Sequence, residues 1–319
     1  MKKQMPDVVY HYCSLDTFKL IIENSTLRMT NIIKSNDLSE ITFCIDEFID
    51  AFRKAFSIVK VRNTDPAFCE FADSVDINKL VEASIKNVSL TYYVTCFSQA
   101  KDLLSQWRGY ANDGEGVAIG FYTAPFVECT DRQSWKFLPI YYDMNQIKDD
   151  LTNYIVERFM RPTTWKSRNP KISDYENVAL TITSAMIYNA VFYKNPAFSE
   201  EQEYRFVYYP FGLIRNLLVS HKSKDMAANQ LFYDRMHDTL MAQGTATHFT
   251  RSPVSYFVRK NSLVSYVDIN FRDIKSHFIS NIVLGPKTQM NDLDLRLFLL
   301  SNGYDISKIE ITDSASTYR

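Results

Sequence analysis

Runs of apolar and polar residues along the chain predict a mixture of strands and helices. Residues 7–12 predict a strand. Apolar positions at Leu15, Phe18, Ile21 and Ile22 then follow helical spacing, with Ser14 as N-cap and an end near Asn24. Thr17 stands where a reciprocal cap would need Glu or Gln, so a single-sided cap is expected. Further strands are expected at 26–30, 89–98, 116–122, 137–143, 203–210, 262–271, 280–286 and 308–313. The clearest is "SLTYYVTCFS" at 89–98, rich in Thr, Tyr, Val and Phe.

Helical patterning covers about 39–60, 76–88, 145–160, 172–194 and 224–243, the last ended by Gly244. A Pro- and Trp-containing break lies at 162–170. One more helix is expected at 291–301, capped by Asn291 and stopped at Gly303. Helices and strands do not alternate as regular βαβ units, so the expected class is α+β rather than a doubly wound sheet. Without a repeat, linker or composition shift, the expectation is one domain carrying a helical insertion at about 145–195.

Composition narrows this picture only in part. The 319 residues are 46 % hydrophobic and 14 % aromatic with 8 Gly, which favours a large β-containing core. A formal net charge of −1 argues against a basic nucleic-acid binder as a whole. Local basic stretches at 221–224 and 257–260 keep that class as a competing hypothesis. The five cysteines are odd in number and lack a CxxC pair, which reads as reduced thiols in a cytoplasmic protein. The N-terminal residues lack a signal-peptide core, and no run reaches the roughly 18 apolar residues of a membrane span.

Several chemistries find no motif. The histidines are His11, His221, His237, His248 and His277, with no HxxxH or HExxH spacing, so no metal is expected. "DGEGVAIG" leads into a strand instead of opening a helix, and a turn explains it better than a phosphate loop. No GxSxG elbow occurs, and Cys96 is expected to be a buried structural thiol.

Three stretches gather unusual polar and aromatic residues at strand edges: around His11, across 95–121, and across 198–209. If 201–207 were a strand, Glu201, Glu203 and Arg205 would share one face and Tyr204 and Phe206 the other. Such a face suits either a salt-bridged edge or a carboxylate placed to stabilise developing positive charge.

The order of "YHYCS", "TLRMTN" and "ND", then "CFS", Trp107, Tyr110 and "GVAIGF", then "EQEYRFV", "IVLGP" and a C-terminal "S…YR" resembles the domain of unknown function family 2971. The resemblance runs from Val8 to Arg319. That bacterial family is similar in motif layout to the ADP-ribosyltransferase superfamily. The resemblance implies a split mixed β-sheet core and NAD as substrate, cleaved at the nicotinamide–ribose bond. By it His11 matches the first motif, Ser98 the second and Glu203 the third. Glu203 would serve NAD and Glu201 the acceptor, as catalytic residues.

His11 would orient the ribose, while Tyr12, Trp107 or Tyr110 would stack on nicotinamide. Arg28 or Arg205 would meet the pyrophosphate. The resemblance further implies a toxin or phage-defence effector. The acceptor is open: protein, nucleic acid or small molecule, or water in an NAD hydrolase. A non-catalytic nucleotide-binding module on the same fold is the alternative. Each residue also has a plain structural role open to it: a strand cap for His11, a turn for Ser98, core for Trp107 and Tyr110, and charge neutralisation for Arg205.

Overall fold

The computed structural model describes residues 4–32, 43–63, 65–88, 92–130, 134–160, 170–210 and 243–318. The expected helix at 224–243 apart from its last residue, the stretch 221–224, and His221 and His237 lie outside these residues, as does nearly all of the break at 162–170.

In chain order the elements are β1 (Val8–Cys13), α1 (Leu15–Asn24), β2 (Thr26–Asn31), α2 (Ile45–Arg62), α3 (Pro66–Ser74), α4 (Ile77–Val88) and β3 (Tyr93–Ser98). Next come α5 (Leu104–Tyr110), β4 (Val117–Tyr122), α6 (Ala124–Cys129), β5 (Trp135–Pro139), α7 (Met144–Met160), α8 (Ile172–Ala190) and β6 (Glu203–Tyr208). The chain continues with β7 (Gly244–Ala246), β8 (Phe249–Arg251), β9 (Ser255–Arg259), β10 (Ser262–Asn270), α9 (Lys275–Phe278), β11 (Ile279–Leu284), α10 (Asp292–Ser301) and β12 (Glu310–Asp313).

The local chemistry explains the best-defined boundaries. Ser14 accepts from the Thr17 N–H at 3.3 Å, satisfying one free donor of α1. Asn291 does the same for α10, accepting from Asp294 N–H at 2.9 Å. Gly303 takes a φ of 73° just past that helix, where a side chain would be strained. The short helices α3, α5, α6 and α9 and the short strands β7 to β9 are the elements that apolar patterning did not predict.

Two compact units divide the chain. One combines Asn36–Leu90 with Ile140–Ser199, and its described elements are the helices α2, α3, α4, α7 and α8. Its interior is aromatic: Phe56 lies 5.3 Å from Phe159, and Phe68 lies 5.3 Å from Tyr175, centroid to centroid. The helices expected at 145–194 fall in this unit together with those of residues 45–88.

The other unit joins Met1–Ser35, Thr91–Pro139 and Glu200–Arg319 and holds every described strand. The class is α+β, with one mixed, open sheet. The main path runs β12-β11-β4-β1-β3-β2-β10-β8-β7, with β6 on β3, β5 on β6 and β9 on β10. Within this sheet only β11 and β12 pair in parallel; its other described strand pairings are antiparallel. The main core lies on one face and includes Val9, Phe97, Ile119, Phe121, Phe126, Phe137, Tyr204 and Phe206.

One feature of the sheet positions the site. On one side β3 pairs with β6 along its whole length. On the other side its two ends go to different strands: Tyr93 and Val94 pair with β2, and Ser98 pairs with Tyr10 of β1. Between those pairings the sheet forks.

Candidate functional site

Cys96 lies at the fork, midway between the residues of β3 that pair with β1 and β2. A backbone carbonyl there needs a donor from elsewhere. His11 supplies it, with Nδ1 3.0 Å from the Cys96 oxygen. A carbonyl only accepts, so Nδ1 carries the proton and Nε2 is left as an acceptor. Burial lowers the His11 pKa and outweighs the carbonyl bond, which alone would raise it. His11 therefore works as a neutral imidazole, wedged edge-on against Phe97 at 5.8 Å. The Cys96 side chain is exposed, not buried as expected, because this position of β3 points away from the main core.

The pairing that closes the fork also aligns the polar residues. Tyr10 stands opposite Ser98, and Ser98 opposite Glu203. Directly opposed residues share a face, so this row crosses β1, β3 and β6 on the side away from the main core. The row continues through Gly120 of β4, which pairs with Tyr10, to Asn281 of β11.

Glu203 and Arg205 are both buried and form a two-pronged pair, Nε to Oε1 at 2.6 Å and Nη2 to Oε2 at 3.1 Å. They share a face opposite Tyr204 and Phe206, as strand alternation requires. Glu201 departs from the expected arrangement. The strand begins only at Glu203, because Gln202 adopts a left-handed φ of 47° and Glu201 closes a 3-10 turn at Pro196–Glu201. Its carbonyl accepts from Ser98 Oγ at 2.7 Å, so Glu201 reaches the row through its backbone.

Ser98 is fully committed. Besides Glu201 it caps the next turn, accepting from Ala100 N–H at 3.0 Å. Tyr12 reaches the same loop, donating to the Ala100 carbonyl at 2.9 Å and accepting from Leu103 N–H at 3.0 Å. Its ring meets Trp107 edge-on at 4.7 Å, and both residues are buried in a small cluster with Ala111, Ala118 and Val283. Trp107 is 0 % exposed and presents no ring face for a ligand to stack on. Tyr110, 51 % exposed, does not share the buried side of α5 with Trp107. Arg28 stands apart on β2, paired with Asp268 at 3.0 Å and stacked on Tyr266 at 3.8 Å.

Sequence reasoning passed over Asp102, Tyr10, Gly120 and Asn281. Asp102 accepts from Trp107 Nε1 at 2.6 Å, Ser314 Oγ at 2.6 Å and Ala315 N–H at 2.7 Å. Burial pushes its carboxyl up, but these bonds outweigh burial and hold it below the usual range. It thereby ties the loop after β3 to residues 314–315. A signal existed for two of the others: a glycine and an asparagine interrupt the apolar strands "GVAIGFY" and "SNIVLGP". Among the described residues no group of three or more His, Cys, Asp and Glu could hold a metal ion, and no helix is long and apolar enough to cross a membrane.

Neither the curated proteins nor the solved structures yield a significant match to this chain. A family model described as protein of unknown function (DUF2971) matches residues 106–206, a stretch that holds Trp107, Tyr110, Glu201, Glu203 and Arg205 and leaves His11, Tyr12, Arg28 and Ser98 outside. Over that stretch the chain is similar to this family.

Proposed function

We propose that the sheet unit binds NAD at the fork and cleaves its nicotinamide–ribose bond, as an ADP-ribosyltransferase or an NAD hydrolase. The observation that carries this reading is the pairing of one strand, at one residue, to both of the others. Ser98 faces the His11 strand on one side and Glu203 on the other. The three motif positions therefore come from three adjacent strands.

In this reading the C1′–N bond breaks and its electron pair leaves with nicotinamide, which departs neutral. The ribose becomes an oxocarbenium ion, and an acceptor nucleophile closes on C1′ as it loses its proton. A buried carboxylate stabilises that cation far better than one in water, and Glu203 is the candidate. His11, a neutral ring with Nε2 as acceptor, stands opposite Ile119 on the Val9 side of the sheet, the face away from Ser98 and Glu203, so its match to a ribose hydroxyl rests on the motif order and not on a shared face. Glu201, in the turn before the strand, is the candidate for the acceptor side. Tyr110 is the exposed aromatic among the original stacking candidates.

A second reading rests on a specific feature. Arg205 grips both oxygens of Glu203, and both residues are buried, which suits a binding module whose carboxylate is structural. One experiment separates the two. The full chain is incubated with NAD and cell extract, and nicotinamide release is compared with that of Glu203→Gln. Transfer or hydrolysis requires release by the native chain and a fall of roughly a hundredfold or more in the variant. Equal release removes Glu203 from the mechanism. No release, with NAD still raising the thermal midpoint, establishes the binding module.

A further inference from the structure

Asn281 is 5 % exposed, and its Oδ1 is buried without any hydrogen-bond partner. Buried side-chain amides are almost always bonded, so an unpartnered one in mid-sheet marks a place where something else supplies the bond. Its surroundings are arranged around it. A bulge in β11 falls between Ile279 and Asn281, re-aiming the side chain as bulges near sites do. Opposite stands Gly120, where an added Cβ would lie 2.0 Å from Oδ1. Only glycine leaves the amide room. The same point lies 3.1 Å from Tyr10 Cε1, so the Tyr10 ring borders the amide. Tyr10 is half-buried, and its hydroxyl makes no hydrogen bond among the described residues.

We infer that the Asn281 amide, over Gly120 and beside the Tyr10 ring, is a subsite for a planar ring edge carrying a donor next to an acceptor. A primary amide offers a donor and an acceptor in one plane, the complement of such an edge. An aromatic neighbour favours a flat partner. The inference extends the proposed NAD reading, since Asn281 lies in the same cross-strand row as Ser98 and Glu203. Within NAD two groups have this chemistry, the carboxamide of nicotinamide and the amino-pyrimidine edge of adenine; four strand spacings, about 19 Å, separate Asn281 from Glu203, so adenine is the edge compatible with a ribose carbon at Glu203.

Calorimetric titration of the full chain with nicotinamide and, separately, with adenosine tests the subsite and identifies the edge it takes. The native chain should bind one of them, and Asn281→Leu should weaken that binding by about tenfold or more. Its thermal midpoint should not fall, because an unpartnered amide gives up no protein bond when replaced by an apolar group of like shape. Should Asn281→Leu fold poorly, Asn281→Ala carries the same binding comparison. Binding of neither probe to the native chain overturns the inference. So does undiminished binding by a folded Asn281 variant, which would leave the amide bonded to a structural water only. Asn281-dependent binding without nicotinamide release from NAD by the native chain would remove the transfer reaction and leave the subsite standing.

Discussion

The strands β1, β3 and β6 present two faces of opposite chemistry from alternating residues. Val9, Phe97, Tyr204 and Phe206 enter the main core, where Phe126 lies within 5.0 Å of Phe97 and 4.9 Å of Phe206. One residue along, Tyr10, Ser98, Glu203 and Arg205 face the other way, and Ser98, Glu203 and Arg205 are tied there by directed bonds. The first face is held by area and packing, which tolerate small shifts in position. The second buries a carboxylate, a guanidinium, a hydroxyl and an amide, each costly unless its partners are in place. The difference teaches a division of labour. The core face can fix register and stability, freeing the polar face to hold groups that do not maximise stability.

The sharpest way to break this comparison is to remove the hub of the apolar face. Phe126 is fully buried and also lies 5.1 Å from Phe137 and 5.2 Å from Phe278. Phe126→Ala should cost about 3–5 kcal/mol, read as a fall in the urea midpoint. A cost below about 1.5 kcal/mol would mean that the apolar face does not carry the fold.

On the polar face the largest single effect should come from orphaning a charge. Arg205→Met leaves the buried Glu203 carboxylate without its fork and should cost about 3 kcal/mol, the low end for a broken buried pair. Replacing both, as Glu203→Leu with Arg205→Met, should recover most of that loss, since paired apolar substitution removes the unmet charge as well. A double variant no more stable than the single one would show that Arg205 is held mainly by groups other than Glu203.

This division also explains what could be read in advance. The strands around Val8–Cys13, Tyr93–Ser98 and Val117–Tyr122 were legible because their apolar residues are dense and β-branched or aromatic. Ser14 and Asn291 announced their helices because a cap is a local bond within three residues. The short strands β7 and β8 have three residues each, too few to show a period. At the site, the shared face of Glu203 and Arg205 followed from alternation. The left-handed Gln202 that removes Glu201 from the strand had no such signal. The fork at Cys96 and the row through Gly120 to Asn281 depend on which strands become neighbours, and register between distant strands is not written in either strand alone.

The smallest expected effect concerns His11, which alternation puts on the same side as Val9, against Phe97. Its ordinary value is 6.5, and burial lowers it in the folded chain. Below about pH 6.5 the unfolded chain takes up a proton at this ring while the folded chain does not. The unfolded state then binds more protons, so stability falls as the pH is lowered. The contribution is complete above 6.5 and is lost progressively as pH drops toward the lowered value. Thermal midpoints measured from pH 8 to pH 5 should therefore fall less steeply for His11→Gln than for the native chain. Above pH 7 the two curves should run parallel, offset by the lost bond to the Cys96 carbonyl. Equal slopes between pH 7 and pH 5 would mean that the ring takes up its proton in place. It would then be a donor at both nitrogens, and the acceptor role assigned to Nε2 at the fork would fail with it.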